Sequence, residues 1–316
     1  MGILFKGDWI EDDSGLNSKD GAFVRASSSF RSRIGDPGFP PEGGRYHLFT
    51  GPSCPWAHRT VIGRKVKKLE AIVSLSQADR PRIQGWSFSS GIDDLQADGD
   101  RFDLHRLYAA AEPDYTGRVT VPVLWDRKTK TIVNNESSEI LRMFNSAFGG
   151  MLEPSIDLYP EDRRSEIDAV NAFVYDTINN GVYRCGFATS QEAYDKAFAK
   201  LFEALDLVET RLGKTRYLVG NTLTEADIRL FTTLIRFDAC YYVLFKCNLR
   251  RILDYSNLHN YLLDLFQTPG FGDTVDIQRI KYGYYHEAGR RICPSGIVPL
   301  GPELDFGAPH DRGRFS

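Results

Sequence analysis

Arg45-Tyr46-His47-Leu48-Phe49-Thr50-Gly51-Pro52-Ser53-Cys54-Pro55-Trp56-Ala57-His58-Arg59 decides the fold of this 316-residue chain. Residues 45–50 are rich in aromatic and β-compatible side chains and read as a short strand, which Gly51-Pro52-Ser53 breaks. From Pro55 onward Trp56, Val61, Ile62, Val66 and Leu69 recur at spacings that suit one face of a helix. Arg59, Arg64, Lys65, Lys67 and Lys68 take the other face. Pro55 fits the first helical turn, where its missing N–H is not needed. Strand, breaker and helix thus deliver Cys54 to a helix N-terminus, where unpaired N–H groups and the macrodipole stabilise a thiolate. A lone cysteine is more commonly a small buried hydrophobe; this position argues for a reactive one.

Outward from this stretch, Ala71-Ile72-Val73-Ser74-Leu75 predicts a second strand. Val119 to Trp125, a turn over 126–130, and Thr131-Ile132-Val133 predict a hairpin; a helix carrying Ile140, Leu141 and Phe144 opens near Ser137. The order β-α-β, hairpin, helix describes a thioredoxin-like α/β domain over residues 45–150, with a long polar insertion from 80 to 118. Residues 1–44 are rich in Gly, Ser, Pro and Asp and read as an extended N-terminal arm. After 150 the pattern changes to helices over roughly 161–179, 191–212, 224–239 and 257–267. An all-helical bundle is therefore expected over 151–316, ending in an irregular Gly- and Pro-rich tail from Ser295. Thr224-Glu225-Ala226-Asp227 has a capping-box layout, with Asp227 in the place of the usual Glu or Gln.

Composition narrows the function class. Hydrophobic residues at 42% and charged residues at 26% are proportions of a chain that buries a core, and the length suits two domains. A net charge of -3 provides no basic field for nucleic acid or an anionic membrane. No apolar run approaches the ~20 residues of a membrane span, and the apolar start Ile3-Leu4-Phe5 soon meets Asp8 and Glu11, so no signal peptide is expected. Five cysteines without a CxxC pair fit reduced thiols and a cytoplasmic location, and six scattered His provide no metal-ligand framework.

Two further constellations frame the thiol. Ala57 stands where a thioredoxin-type dithiol carries its second cysteine, so Cys54 works alone. A single thiol cannot resolve its own mixed disulfide, and soluble glutathione is the abundant thiol that does so. Pro122 heads a predicted strand where it removes a ladder hydrogen bond. A cis Val121-Pro122 bond there turns the Val121 backbone toward an extended peptide-like ligand. Asn135-Glu136-Ser137-Ser138 opens the next helix, where N–H groups and a hydroxyl suit a carboxylate and Glu136 suits an ammonium, the two charges of a γ-glutamyl end.

Cys54-Pro55-Trp56-Ala57-His58-Arg59, Val121-Pro122, Glu136-Ser137 and Asn221 through Phe231 together resemble a glutathione transferase. Arg236-Phe237-Asp238, Phe245-Lys246-Cys247-Asn248, Pro269-Gly270 and Gly296-Ile297-Val298-Pro299 narrow the resemblance to the Xi class, the glutathionyl-hydroquinone reductases. That resemblance implies Cys54 as nucleophile and a glutathione site of Trp86, Arg118, Val121, Glu136 and Ser137. It implies an aromatic acceptor pocket lined by Tyr183 with Tyr284 or Tyr285, of which Tyr183 and Tyr285 are assigned catalytic roles. The chain departs from the class pattern at Gly283, His286-Glu287 and Cys293-Pro294, which leaves open which tyrosine of the pair faces inward. A homodimer is also implied.

The expected reaction is deglutathionylation of a glutathionylated, quinone-derived aromatic through a Cys54 mixed disulfide, giving hydroquinone and oxidised glutathione. Glutathione is the co-substrate, with no metal and no nicotinamide. An Omega-like thioltransferase or dehydroascorbate reductase is the alternative enzyme, and a non-catalytic binding or scaffold protein on the same fold is the alternative outside catalysis.

Overall fold

The computed structural model describes residues 2–11, 18–151, 156–288 and 293–315. Its contacts divide into two units, Met1–Leu16 with Ser27–Ile156, and Asn17–Ala26 with Asp157–Ser316. The described N-terminal residues fall partly in each unit. They hold β1 (Ile3–Phe5) and β2 (Asp8–Ile10) in the first unit, and β3 (Ser18–Lys19) and β4 (Ala22–Phe23) in the second.

The first unit is built on β5 (Tyr46–Thr50), α1 (Pro55–Val66) and β6 (Val73–Gln77), followed by β7 (Ser87–Phe88), β8 (Phe102–Asp103), α2 (His105–Ala111) and β9 (Gly117–Arg118). It closes with the hairpin β10 (Val123–Asp126) and β11 (Thr131–Asn134) and with α3 (Ser137–Ser146). The main sheet runs β11-β10-β5-β6, with β5 parallel to β6 and antiparallel to β10. Period-two alternation sorts its side chains. Tyr46, Leu48, Leu124 and Val133 pack with Ile140 and Phe144 of α3, whereas Phe49, Val123, Trp125 and Ile132 pack with Phe88, Phe102, Leu107 and Tyr108. The segment 80–118 thus supplies much of one face of the core: its buried aromatics sit two or more positions apart in short pieces, so no long apolar run marks them in the sequence. Strand β1 pairs with both β2 and β9, making a separate three-stranded sheet of order β2-β1-β9 that the sequence did not signal.

The α1 surface also departs from expectation. Arg59 is 1% exposed and Lys67 is buried, although both fall on the helix face read as polar. The Arg59 guanidinium lies 4.4 Å from the Trp56 ring centroid, and Lys67 donates to Asn145 Oδ1 and to the Ile156 carbonyl, so each long side chain has partners that offset its desolvation.

The second unit is helical: α4 (Arg164–Val174), α5 (Gly181–Gly186), α6 (Gln191–Leu212), α7 (Glu225–Arg236), the short α8 (Tyr242–Leu244), α9 (Ser256–Gln267) and α10 (Ile277–Tyr282). Every residue of α7 is buried, which makes it the central element. Its capping box forms, with the Thr224 N–H donating to Asp227 at 2.8 Å. Among the described residues three π-helical segments interrupt the regular winding, at Tyr175–Asn179, Phe237–Tyr241 and Gly283–Ala288. The result is an α/β domain and an all-helical domain, with a thioredoxin-like first half.

Candidate active site

Cys54 is the N-cap residue of α1, with φ -77° and ψ 116°. The Cys54 N–H donates to Gly51 O at 3.0 Å, closing a tight turn that brings the chain out of β5. The Ala57 N–H approaches Sγ at 3.5 Å, so the sulfur caps the helix as a serine oxygen would. On its other side the thiol faces the Val121 carbonyl at 3.6 Å. The Val121–Pro122 peptide bond is cis, as the sequence predicted. Trp86 packs on the turn: a Cβ at Gly51 would lie 2.1 Å from its ring, so residue 51 must be glycine for the indole to approach. Arg82 lies over that indole, 3.4 Å from the ring centroid, and its Nη2 donates to Ser53 Oγ at 2.7 Å.

Glu136 and Ser137 sit at the start of α3. The Glu136 side chain is itself the N-cap, accepting from Ser138 N at 3.1 Å, Ser138 Oγ at 2.9 Å and Ser28 Oγ at 3.0 Å. Burial alone would raise its pKa, but these hydrogen bonds and the Arg59 charge outweigh it and hold the carboxyl below its ordinary value. Glu136 is therefore an ionised group already satisfied by hydroxyls. Ser137 is buried beside it. Arg118 lies on β9, paired in register with Ile3, and its carbonyl accepts from Tyr115.

In the helical unit, Tyr183 and Tyr284 come together through their hydroxyls at 2.9 Å, and Tyr241 joins them at 2.7 Å from Tyr284. Tyr285 points elsewhere and donates to the Ala239 carbonyl at 3.3 Å. Burial pushes Tyr284 and Tyr241 far above the usual phenol value, with Tyr183 adding to both and Arg236 opposing, so both are neutral donors and acceptors at physiological pH. Tyr183 is half-buried, and the Arg25 guanidinium lies 4.9 Å from its ring centroid while Arg25 Nε donates to Asn180 Oδ1 at 2.8 Å. Among the described residues no group of three His, Cys, Asp or Glu side chains could hold a metal ion.

Models of the glutathione S-transferase N-terminal and C-terminal domains match residues 53–147 and 191–263. The chain is 47% identical to glutathionyl-hydroquinone reductase YqjG of Escherichia coli, over 99% of this chain and 98% of that protein. The glutathione-bound structure of YqjG superposes with a TM-score of 0.85, at 46% identity over 99% of both chains. Glutathionyl-hydroquinone reductase PcpF of Sphingobium chlorophenolicum is 48% identical over 96% of each chain. A Xi-class transferase from Natrialba magadii has a TM-score of 0.91 at 46% identity, covering 99% of this chain and 98% of its own.

The chain is a Xi-class glutathione transferase.

Within this Xi-class chain, sequence reasoning missed Tyr241, Arg82 and Arg25. Tyr241 is one of 15 tyrosines, and its joining the hydroxyl cluster depends on a π-helical segment that no periodicity signalled. Arg82 and Arg25 lie in irregular stretches where local pattern provides no partner.

Proposed function

We propose that this Xi-class chain is a glutathionyl-hydroquinone reductase whose nucleophile is Cys54. The observation that carries this reading is the placement of a single thiol as the N-cap of α1, 3.5 Å from the Ala57 N–H and 3.6 Å from Val121 O, with alanine where a resolving cysteine would stand. The Cys54 thiolate attacks the sulfur of a glutathionyl-hydroquinone. The aryl carbon–sulfur bond breaks, its electron pair goes to the ring carbon, and that carbon takes up a proton to give the hydroquinone. Cys54 is left as a mixed disulfide with glutathione. A second glutathione thiolate attacks this disulfide, releasing oxidised glutathione and restoring Cys54.

The Val121 backbone, Trp86, Arg118, Glu136 and Ser137 are assigned to glutathione, supported by their matching the class pattern. Because Glu136 already caps α3 through Ser138, an incoming ammonium would meet a carboxylate that is ionised and held in one orientation. On chemistry, the phenols Tyr183 and Tyr284 suit a hydroquinone oxygen, and Tyr183 is assigned as proton donor; the 2.9 Å hydroxyl contact favours Tyr284 over Tyr285 as its companion. No helix among the described residues is long and apolar enough to cross a membrane. A cytoplasmic homodimer that needs neither metal nor nicotinamide completes the reading.

Steady-state turnover of a glutathionylated hydroquinone, compared with dehydroascorbate, tests the assignment. The hydroquinone adduct is expected to be turned over in preference, Cys54→Ser is expected to abolish that turnover, and intact mass should detect a glutathione adduct on wild type only. Wild-type rates in Cys54→Ser would sink the mechanism.

A further inference from the structure

We propose that Arg82 is a positioning residue for the Cys54 thiol, acting through Ser53 and Trp86. The inference rests on Cys54 being the nucleophile. Three contacts converge on the turn that carries the sulfur. Arg82 Nη2 donates to Ser53 Oγ at 2.7 Å, and Ser53 is 6% exposed, so the bond is shielded from competing water. The Arg82 guanidinium lies over the Trp86 indole, 3.4 Å from the ring centroid. Trp86 in turn closes on Gly51, the residue whose carbonyl accepts the Cys54 N–H at 3.0 Å. Arg82 therefore braces the Gly51–Cys54 turn at two points, at Ser53 by a charge-assisted hydrogen bond and at Gly51 through the Trp86 ring it lies over.

Its consequence is chemical. A thiolate is stabilised by helix N–H groups only if the sulfur stays in line with them, and a small rotation of the preceding turn removes it. The residues that fix this turn come from the long insertion between the two halves of the sheet, so the insertion shapes the nucleophile as well as the core.

The test measures four proteins, wild type, Arg82→Gln, Ser53→Ala and the double variant, with Arg82→Lys as rescue. Two readouts are used: kcat/KM for a glutathionylated hydroquinone, and the rate at which iodoacetamide alkylates Cys54, read by peptide mass spectrometry. The alkylation rate does not depend on the enzyme reaction, so it tests positioning even if the substrate assignment fails. Each single variant should lose about tenfold in both readouts, the scale of one hydrogen bond to a charged group. Arg82→Gln removes the Trp86 contact as well as the Ser53 hydrogen bond, so it should lose at least as much as Ser53→Ala, and the double variant should lose no more than about twofold beyond Arg82→Gln, because Ser53→Ala removes only a bond already lost. Arg82→Lys, which still donates to Ser53, should recover most of the loss, and both readouts are taken well below the thermal midpoint, which one or two lost contacts lower by a few degrees. The proposal is overturned if Arg82→Gln stays within about twofold of wild type in alkylation, if the two single losses multiply in the double variant, or if the loss is seen only at temperatures where the variant is partly unfolded.

Discussion

Replacing Tyr284 by Phe removes one oxygen and keeps the ring, so the change isolates the hydroxyl cluster from its packing. Tyr284 shares hydrogen bonds with Tyr183 at 2.9 Å and Tyr241 at 2.7 Å, and Tyr241 is fully buried. Two neutral hydrogen bonds at about 1 kcal/mol each, plus about 1–3 kcal/mol for a Tyr241 hydroxyl left buried without this partner, amount to about 3–5 kcal/mol. The neighbouring Tyr285→Phe loses a single 3.3 Å bond to Ala239 O, about 0.5–1 kcal/mol. Thermal unfolding should therefore rank Tyr284→Phe below Tyr285→Phe, and both below wild type. If the cluster also orients Tyr183 as proton donor, kcat with a glutathionylated hydroquinone should fall about tenfold in Tyr284→Phe and less than about twofold in Tyr285→Phe. A Tyr285→Phe variant that loses more turnover or more stability than Tyr284→Phe would refute this reasoning, since the network would then run through the wrong phenol.

Gly51→Ala places a methyl group 2.1 Å from the Trp86 ring, which must shift. The expected cost is about 1–3 kcal/mol in denaturant unfolding, with a weaker response of tryptophan fluorescence to glutathione. In the same way, Gly186→Ala would bring a Cβ to 2.4 Å from Phe245, which packs against Tyr183, and should destabilise the helical unit by a similar amount in thermal unfolding. Glu139 is held down to about 2 by Arg31, whose Nε donates to it at 2.7 Å, with burial opposing and Asn134 assisting. Because the folded value is depressed, its contribution is present above the unfolded value of 4.5 and is lost as pH falls toward about 2. Half of the Arg31 side chain is exposed, so screening leaves about 1 kcal/mol. Glu139→Gln should erase that acid-range slope in urea midpoints between pH 5 and pH 3, without steepening it.

The elements nearest Cys54 were legible because local chemistry specifies them: an aromatic strand, a Gly-Pro breaker, a proline in the first helical turn and a Val-Pro pair heading a strand. Helix α6 was read at its full extent, and the Thr224–Asp227 box marked the start of α7, because caps and period are local signals. What escaped was long-range. Nothing in Ile3-Leu4-Phe5 says that it pairs with Gly117-Arg118, and nothing in Arg25 says that it covers Tyr183. That the Glu136 side chain itself caps its helix also escaped, a role that the flanking Ser138 makes possible in three dimensions. Arg59 and Lys67 were put on the solvent side by helical period alone; burial won because an aromatic ring and backbone or amide oxygens meet them.

The π-helical segments change how the tyrosine cluster responds to mutation. Each is an α-helix holding one residue more than its winding accommodates, and Tyr241 and Tyr284 both lie inside such a segment while Tyr183 follows one by four positions. One residue corresponds to about 100° of rotation around a helix axis. Removing a single amino acid from any of the three segments would let regular winding resume and swing a phenol away from its partners without altering any side chain. The spacing of these hydroxyls is thus sensitive to single insertions and deletions as well as to substitutions, and a relative that aligns at every tyrosine but differs in length within these helices would place its phenols differently.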